Sequence, residues 1–429
     1  FKVSPLVWRH APPAKSAGRV QSPSLRIICE RETERDKHIK EEYWPITSKF
    51  EYNDFIFDAE LIKYNETDLK KNPVSSEKDV REIESELKSL EFFIKSIETK
   101  PQSSSPNPPF RTSTLQMTAS SFLGFTADRT MRAAQNLYEA GLITYLRTDG
   151  INISTSPNTG EPFSEENPGP PPLQEIRNVI VEKFGDKFLS DQVRVYKSKV
   201  KNSQEAHEAI RPTNIKTYPE NINLGQDEQK LYTLIWNRTL SSQMSNSQHE
   251  RKKIVVCSKE NKFVFNASSR KTLFEGFETL SKKDSSEIIE FPENLKENEN
   301  VSLAEFISEQ KFTSPPNRYS EASLIKKMEE LGIGRPSTYA STVKGLRDKK
   351  YAYGAKSIAP SDLGRVLNSY LSGVYKEFFI ETKFTAELET ELDKIAEGSI
   401  SWTDVLDKFW EELQNYLSKE IDGIPLNDS

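Results

Sequence analysis

Most of this 429-residue chain shows the apolar spacing of helices. Apolar side chains three and four positions apart share one helix face, so this spacing predicts amphipathic helices. The stretch 110–249 is mainly of this kind, as are Leu25 to Ile39 and 383–420. The predicted buried faces are Val80, Ile83, Leu87 and Leu90; Leu115, Ala119, Phe122 and Leu123; Met131, Ala134, Leu137 and Tyr138; and Leu388, Leu392, Ile395, Trp402, Val405, Phe409 and Leu413.

Strand patterns occupy two separate stretches. Residues 43–46 look like the start of a strand, and 254–257 and 263–265 flank a polar turn as in a hairpin. The prolines between 101 and 109 are expected to break regular structure. Inside the helical block, 142–145 predicts a short strand or extended turn. We expect the strand-rich parts on either side of that block to form one discontinuous domain.

Two short helices joined by a glycine turn are predicted in the last third of the chain. Ser320 can cap the first, which would end at Gly332 in a left-handed conformation, and Ser337 can cap the second. With a strand at Tyr351 they form a helix-turn-helix-like unit. Their apolar positions are Leu324, Met328 and Leu331, then Ala340, Val343 and Leu346.

Length and composition indicate a multidomain protein. Single cores stop growing near roughly 250–300 residues, so two to four domains are expected. The formal net charge is −6, which gives no support for nucleic-acid binding as a whole. Two stretches differ: 1–40 carries nine Lys or Arg against four Asp or Glu, and 317–365 carries ten against five. Each is about +5, which fits either a local DNA-binding patch or a solvated helix face.

Other features place limits on the class of protein. Cys29 and Cys257 match no metal-ligand spacing and are expected to be core residues in a reducing compartment. We find no apolar run near the roughly 20 residues of a membrane helix, so no membrane partner is expected. The chain starts at Phe1, which predicts a fragment or processed product. The stretch 154–172, rich in Pro, Ser and Gly, predicts a mobile surface loop.

Tyr145 and Arg147 are candidate catalytic residues. They stand two positions apart in ITYLRTDG (143–150), which on an extended segment puts both side chains on one face. A cation beside a phenol favours the phenolate, and the planar guanidinium can contact two phosphate oxygens at once. The alternative is that Tyr145 is a buried aromatic and Arg147 pairs with Asp149.

A histidine and an arginine stand four apart in QEAHEAIRP (204–212). This stretch predicts a helix with His207 and Arg211 on one face, where Glu208 could orient or neutralise them. The histidine could hold a phosphate or share a proton with a leaving oxygen. The alternative is a surface cluster of salt bridges.

Two small-residue turns in the basic stretches are candidate phosphate sites. GIGRPSTYAS (332–341) and SAGRVQSPSL (16–25) each lead into a helix, whose free backbone N–H groups favour anions. Two such turns suit the path of a DNA backbone. In the first of these stretches, helix capping alone would also explain Ser337 and Thr338. The candidate DNA-binding residues are Arg19, Gln21, Ser22, His207, Arg211, Arg335, Ser337 and Thr338.

Together these four stretches resemble the type IA DNA topoisomerases, in particular the bacterial topoisomerase I branch. RYSEASLIKKMEELGIGRPSTYAS (318–341) also resembles that family, and the likeness runs from Phe1 to about Glu420. One departure is Gly150, where the family usually has serine.

The resemblance implies a mainly α multidomain fold, a toroidal arch with a β-rich hinge. Residues 1–41 and 317–429 would form a helical base with a DNA-binding groove, 42–106 and 250–316 the hinge, and 107–249 the helical domain that carries the tyrosine. Tyr145 would attack single-stranded DNA to give a 5′-phosphotyrosine, with Arg147 stabilising charge on the phosphate. Strand passage and religation without ATP would relax negative supercoils.

The family also has an N-terminal Toprim domain that supplies a glutamate and an Asp-x-Asp-x-Glu metal set. No two aspartates here stand two residues apart. Mg²⁺ is therefore expected for the full enzyme, with its ligands in the Toprim domain and none bound by this chain. The chain alone is expected to bind single-stranded DNA and to cleave poorly.

Two other functions remain open. One is a non-enzymatic DNA-binding protein that uses 320–351 as a winged helix, and the other is a non-catalytic single-stranded DNA-binding remnant. The expected partners are DNA and a Toprim domain, the expected state is a monomer, and the expected location is the bacterial cytoplasm at the nucleoid, or else an organelle.

Overall fold

The computed structural model describes residues 3–155, 171–197, 207–281, 290–375, 378 and 380–421. For residues 418–421 it describes the backbone alone. The central part of the predicted mobile loop, 156–170, lies outside these residues, so that expectation stays a prediction. The chain divides into two compact units. One comprises Phe1–Lys37, Asn107–Gln243 and Pro316–Ser429, and the other His38–Pro106 and Met244–Pro315.

The second unit is built on an antiparallel sheet. Its described elements are β1 Glu42–Tyr43, β2 Ile46–Tyr52, β3 Phe55–Tyr64, β4 Thr67–Asp68, α3 Glu77–Leu87, β5 Phe92–Ser104, β6 Ser247–Ser258, β7 Phe263–Phe274, β8 Asn300–Ser308 and β9 Lys311–Phe312, with a short 3₁₀ helix at Gly276–Leu280. The strand order is β2-β8-β5-β6-β7-β3-β4, and an additional β2–β3 pairing closes the first six strands into a ring. The short pair β1–β9 forms a separate sheet.

Aromatic residues fill the interior of this ring. Phe50, fully buried on β2, makes edge-to-face contacts with Phe92 and Phe265 at centroid distances of 5.2 and 5.0 Å. The predicted hairpin is confirmed, because β6 and β7 pair down to Cys257 opposite Val264. Edge-to-face aromatic packing contributes about 0.5–1.5 kcal/mol a pair beyond area burial, so these contacts help to fix the ring.

The proline-rich stretch does not end regular structure where the sequence predicts. β5 continues through Pro101, which stands opposite Glu250 of β6. On its other side β5 pairs with β8 only at Phe92 and Phe93, so the Pro101 end of the strand has a single neighbour. A proline lacks one ladder hydrogen bond, and an edge position tolerates that loss.

The described residues of the first unit are mainly helical, with a short antiparallel pair formed by Ala352–Tyr353 and Ala359–Pro360. Short 3₁₀ turns occupy Asp186–Phe188 and Pro219–Asn221. None of the described helices of the chain is long and apolar enough to cross a bilayer. The elements are α1 Val3–His10, α2 Gln21–Asp36, α4 Thr112–Leu123, α5 Ala127–Glu139, α6 Pro172–Phe184, α7 Gln226–Ser241, α8 Glu321–Glu330, α9 Tyr339–Asp348, β10 Ala352–Tyr353, β11 Ala359–Pro360, α10 Asp362–Tyr375, α11 Thr382–Ala396 and α12 Trp402–Ile421.

The helices predicted from the apolar spacing are present, but several of their apolar positions are not buried. α2 begins four residues before Leu25 and ends before Ile39, which is 79% exposed. Single exposed apolar residues are normal on a protein surface. The predicted core positions that the structure leaves exposed are Leu90, Phe122, Tyr138, Leu392 and Trp402.

The helix-turn-helix-like unit is confirmed in outline. The Ser320 hydroxyl accepts from the Ser323 N–H at the start of α8, and Gly332 has φ +72° just after the helix. Ser337, however, does not cap α9. That helix begins at Tyr339, and the Thr338 hydroxyl instead accepts from the Arg335 N–H at 2.8 Å. β10 and β11 pair antiparallel behind α9 as a small wing.

Candidate active site

Tyr145 lies on an extended segment that is held from both sides. Thr144 N donates to Arg211 O at 2.9 Å, and Arg211 N donates to the Thr144 hydroxyl at 3.0 Å. On the other side the Thr112 hydroxyl donates to Leu146 O at 2.7 Å. Since side chains alternate along an extended segment, Leu146 is buried while Tyr145 and Arg147 are exposed. The predicted extended turn is therefore confirmed.

The phenol and the guanidinium of this pair both face solvent. The Tyr145 side chain is 54% exposed, and its ring meets Tyr138 edge to face at 5.5 Å. Arg147 makes no hydrogen bond or ion pair with any residue that the structure describes, Asp149 included. The alternative of a buried aromatic beside a structural ion pair is therefore wrong.

Residues 207–212 are extended and not helical as the sequence predicts. Residues 204–206 lie outside the described part of the chain, and 207–212 forms isolated bridges in place of helical turns. Ala209 N donates to Asn152 O at 2.9 Å and Ile210 N donates to Phe110 O at 2.7 Å. The backbone donors here bind neighbouring chain segments, which is why the i,i+4 geometry does not form.

His207 and Arg211 consequently point in different directions. His207 is exposed, with Nδ1 3.3 Å from Asp149 Oδ1. Arg211 is only 4% exposed, and its guanidinium donates to Glu208 at 2.7 Å and to Pro212 O at 2.9 Å. His207 is therefore open to a ligand in this structure, whereas Arg211 braces the segment from inside.

One pocket collects the exposed members of three motifs. Its lining comprises the tyrosine segment, the histidine, the glycine turn before α9 and one residue of α11. Two guanidinium groups, one imidazole and two carboxylates thus line this pocket together with the phenol, an arrangement that suits a negatively charged, extended ligand. The lining residues are Tyr145, Arg147, Asp149, His207, Arg335, Pro336, Ser337 and Asp393.

Arg335 projects from the glycine turn and is bound to α11. Its Nη2 donates to Asp393 Oδ2 at 2.6 Å and its Nη1 donates to Gly334 O at 3.0 Å. Burial alone would lower the pKa of Arg335, but the hydrogen bond and charge of Asp393, with the charge of Glu389, outweigh burial and raise it. The guanidinium therefore stays charged. Ser337 beside it is exposed in the pocket.

The other small-residue turn lies outside this pocket. Arg19 Nη1 donates to Glu389 at 2.7 Å, and Gln21 Nε2 donates to Ser16 O at 3.3 Å. Ser22 is 1% exposed and its hydroxyl accepts from Gly18 N at 3.2 Å, so it shapes the turn in this structure. Of these three predicted DNA-binding residues, only Arg19 and Gln21 have partly exposed side chains.

Two residues of α11 were missed by the sequence. Glu389 and Asp393 stand four apart on a helix that the apolar pattern assigns to packing alone. Glu389 is 4% exposed, and its carboxylate accepts from Arg19. The signal that could have found them is the pair of acids one turn apart on the predicted inner side of an amphipathic helix, because buried carboxylates require a cationic partner.

The comparisons with known proteins place the chain. A family model described as DNA topoisomerase matches residues 1–407. The chain belongs to the DNA topoisomerase family. It is 44% identical to DNA topoisomerase 1 of Rickettsia felis over 427 residues, which cover 96% of this chain and 53% of that protein. It is 36% identical to DNA topoisomerase 1 of Xylella fastidiosa over 452 residues, which cover 100% of this chain and 53% of that protein.

A solved topoisomerase shares the fold. Full-length topoisomerase I from Thermotoga maritima matches with a TM-score of 0.81 and 34% sequence identity, over 100% of this chain and 66% of that one. This chain spans about half the length of the curated topoisomerase relatives it matches. The type IA resemblance drawn from the motifs is therefore confirmed at the level of the family, and the chemistry of its residues is a proposal.

Proposed function

We propose that this chain is the DNA-cleaving body of a type IA topoisomerase and that Tyr145 is its nucleophile. The observation that carries the proposal is the exposed pair of Tyr145 and Arg147 in the pocket with His207 and Arg335. A phenol and three cationic or ionisable nitrogen groups around one open pocket match a phosphodiester in charge and in hydrogen-bonding capacity.

The proposed step is an exchange of one phosphodiester for another. The Tyr145 oxygen attacks the phosphorus of a single-stranded DNA linkage, and the bond from phosphorus to the 3′ oxygen breaks. The products are a 5′-phosphotyrosine and a 3′-hydroxyl, which takes up the proton that the phenol gives up. Arg147, unpaired in the described part of the chain, would stabilise the charge that develops on the phosphate. The reverse reaction reseals the strand, so no ATP is needed.

His207 is suited to interact with the leaving 3′ oxygen of this reaction. Its Nδ1 lies next to Asp149, which leaves Nε2 for the 3′ oxygen or a phosphate. Arg335 and Arg19 would bind the strand through phosphates. These roles follow from exposure and charge, and Arg211 and Ser22 would act by holding the segments that carry them.

No group of three or more histidine, cysteine, aspartate or glutamate side chains in the described ranges is placed to hold a metal ion. We propose that Mg²⁺ and its carboxylate ligands belong to a Toprim domain that works with this body. The toroidal arch, the division into base, hinge and tyrosine domains, a monomeric state and a place at bacterial or organellar DNA are part of the same proposal.

The test is covalent trapping on single-stranded DNA with Mg²⁺, with and without an added Toprim domain. A 3′-end label should stay with the protein and a 5′-end label should appear on a shorter free fragment, because the tyrosine takes the 5′ phosphate. Tyr145→Phe should abolish the adduct. Tyr138→Phe is the matched control, since this neighbouring tyrosine is also exposed and keeps its ring contact as phenylalanine. An adduct that survives Tyr145→Phe would refute the assignment.

A non-catalytic DNA-binding function is the second candidate. The antiparallel wing of β10 and β11 behind α9, with Tyr353 57% exposed, favours it. Such a protein would bind DNA equally well after Tyr145→Phe. It would form no adduct with or without the added Toprim domain. The trapping experiment separates the two functions directly.

A further inference from the structure

The buried face of α11 is polar. Thr385, Glu389 and Asp393 follow one another at intervals of four residues, so they lie along one side of the helix. Thr385 and Glu389 are 0% and 4% exposed. A carboxylate buried on a helix face costs free energy unless a cation and hydrogen bonds compensate for it, so this face must be matched to particular partners.

The partners come from the two small-residue turns. The Thr385 hydroxyl donates to Arg19 O at 3.1 Å, and Arg19 Nη1 donates to Glu389 Oε1 at 2.7 Å. The second oxygen of the same carboxylate, Oε2, lies 3.8 Å from Arg335 Nε. Glu389 therefore lies between two arginines that come from turns more than 300 positions apart in the chain.

Asp393 completes the hold on the second arginine. Its carboxylate accepts from Arg335 Nη2 at 2.6 Å and from Nε at 3.5 Å. Nη1 donates to Gly334 O, so three of the five guanidinium N–H groups bind partners among the described residues and two do not. The two turns also lie next to each other, because a Cβ atom added to Gly334 would come within 3.3 Å of Val20 Cγ1.

We propose that Glu389 and Asp393 are positioning residues that hold Arg19 and Arg335 side by side to receive two phosphates of a single strand. An unrestrained arginine loses rotamer freedom when it binds a phosphate, and a restrained one has already lost it. The remaining N–H groups of Arg335 then face a ligand at the pocket that contains Tyr145. This inference rests on the proposed function, since it takes single-stranded DNA as the ligand.

The opposite role makes the opposite prediction. If the two carboxylates competed with phosphate for the arginines, removing one would strengthen DNA binding. If they position the arginines, removing one weakens it. The change in single-strand affinity on removing a carboxylate therefore has opposite signs for the two roles.

The experiment measures binding of a fluorescent single-stranded oligonucleotide in a Tyr145→Phe background, where no adduct forms. Asp393→Ala and Arg335→Ala should each weaken binding about tenfold, and the double variant should be no weaker than Arg335→Ala alone. The slope of the logarithm of the binding constant against the logarithm of the salt concentration should become shallower by about 0.7 in Arg335→Ala, the value for one phosphate contact of a single strand. Asp393→Ala should also make this slope shallower. Asp227→Ala is the matched control, because it breaks an ion pair with Arg129 outside the pocket.

Three outcomes would overturn the inference: tighter binding by Asp393→Ala, additive losses in the double variant, or no single-strand binding by the parent protein. Thermal unfolding of each variant checks that it folds, and Asp393→Asn replaces Asp393→Ala if the latter does not. Adduct formation is measured separately with Tyr145 present. Binding without an adduct would refute the proposed catalysis. The positioning role would then be decided by comparing the binding of the two single variants with that of the double variant.

Discussion

The backbone of Gly150 lies directly against that of His207: a Cβ atom built on Gly150 would be 1.9 Å from the His207 carbonyl oxygen. The contact is part of a local hydrogen-bond network, in which Gly150 N donates to the Thr148 hydroxyl at 2.9 Å and that hydroxyl donates to Glu208 O at 2.9 Å. The absence of a side chain lets the two segments meet, and the meeting brings His207 next to Asp149.

Gly150→Ala should therefore displace the His207 segment. No real Cβ is accommodated at that distance, so the backbone has to move, at a cost of about 1–3 kcal/mol in the free energy of unfolding. Thermal or urea unfolding measures the loss, and DNA binding should weaken with it. Gly345→Ala is the control. Its Cβ would meet nothing within 4 Å on helix α9, so it should be neutral or add roughly 0.5–1 kcal/mol. Equal stability of the two variants would contradict the close contact.

Arg147 and Arg211 should separate chemistry from stability. Arg147 is exposed and has no partner among the described residues, so Arg147→Ala should change the free energy of unfolding by less than about 0.5 kcal/mol. It should nevertheless reduce the rate of adduct formation by roughly 10²–10³-fold, if its charge stabilises the reacting phosphate.

The buried arginine should behave in the reverse way. Arg211→Ala leaves Glu208 without its 2.7 Å partner and removes the donor to Pro212 O, so it should destabilise the protein by about 3–5 kcal/mol. Chemical unfolding of both arginine variants makes the comparison. A stable Arg211→Ala variant would show that the buried ion pair does not hold the segment.

The sequence predicts some of these features well because they depend on local pattern. The shared face of Tyr145 and Arg147 follows from simple alternation, and the end of α8 follows from Gly332. The extended course of 207–212 could not be predicted in this way, because its hydrogen bonds go to Phe110 and Asn152, far away in the chain. Helical spacing of charged residues is a local signal, and here non-local pairing overrides it.

The role of α11 shows the same limit from the other side. Its apolar positions predict a helix correctly, but Leu392 is 38% exposed while Glu389 is buried. Burial here is decided by the arginines that meet the helix, and those come from turns near residues 19 and 335. A single sequence shows which residues are charged, whereas the pairing requires the tertiary structure.

The hydroxyls before α9 should contribute unequally. The Thr338 hydroxyl accepts from Arg335 N at 2.8 Å and donates to Arg335 O at 3.1 Å, whereas Ser337 is exposed in the pocket. Thr338→Ala should lower the free energy of unfolding by about 1 kcal/mol, and Ser337→Ala should be nearly neutral. Unfolding curves of the two variants under one condition decide this. A larger loss for Ser337→Ala would restore the cap that the sequence predicts.

Glu32 should make part of the stability depend on pH. It is 5% exposed on α2 and accepts from Arg318 Nε at 2.8 Å and Nη2 at 2.6 Å. The hydrogen bonds from Arg318 lower the pKa of Glu32 below its usual range, against the opposing effect of burial. Because the folded pKa is below the unfolded one, the carboxylate stabilises the protein fully above about pH 4.5, and this contribution is lost as pH falls through the folded value.

Glu32→Gln should accordingly be less stable than the parent by about 2 kcal/mol at pH 7, because it removes charge-assisted hydrogen bonds. The difference should shrink below about pH 4.5 and vanish once the parent carboxyl is protonated in both states. Glu34→Gln on the same helix is the control: its pair with Arg31 is 58% exposed on the carboxylate side, so it should cost less than about 1 kcal/mol at any pH. Urea unfolding of all three proteins from pH 3 to pH 7 makes the measurement. A Glu32→Gln deficit that is the same at pH 3 as at pH 7 would mean that packing, and not the charge, is what this residue contributes.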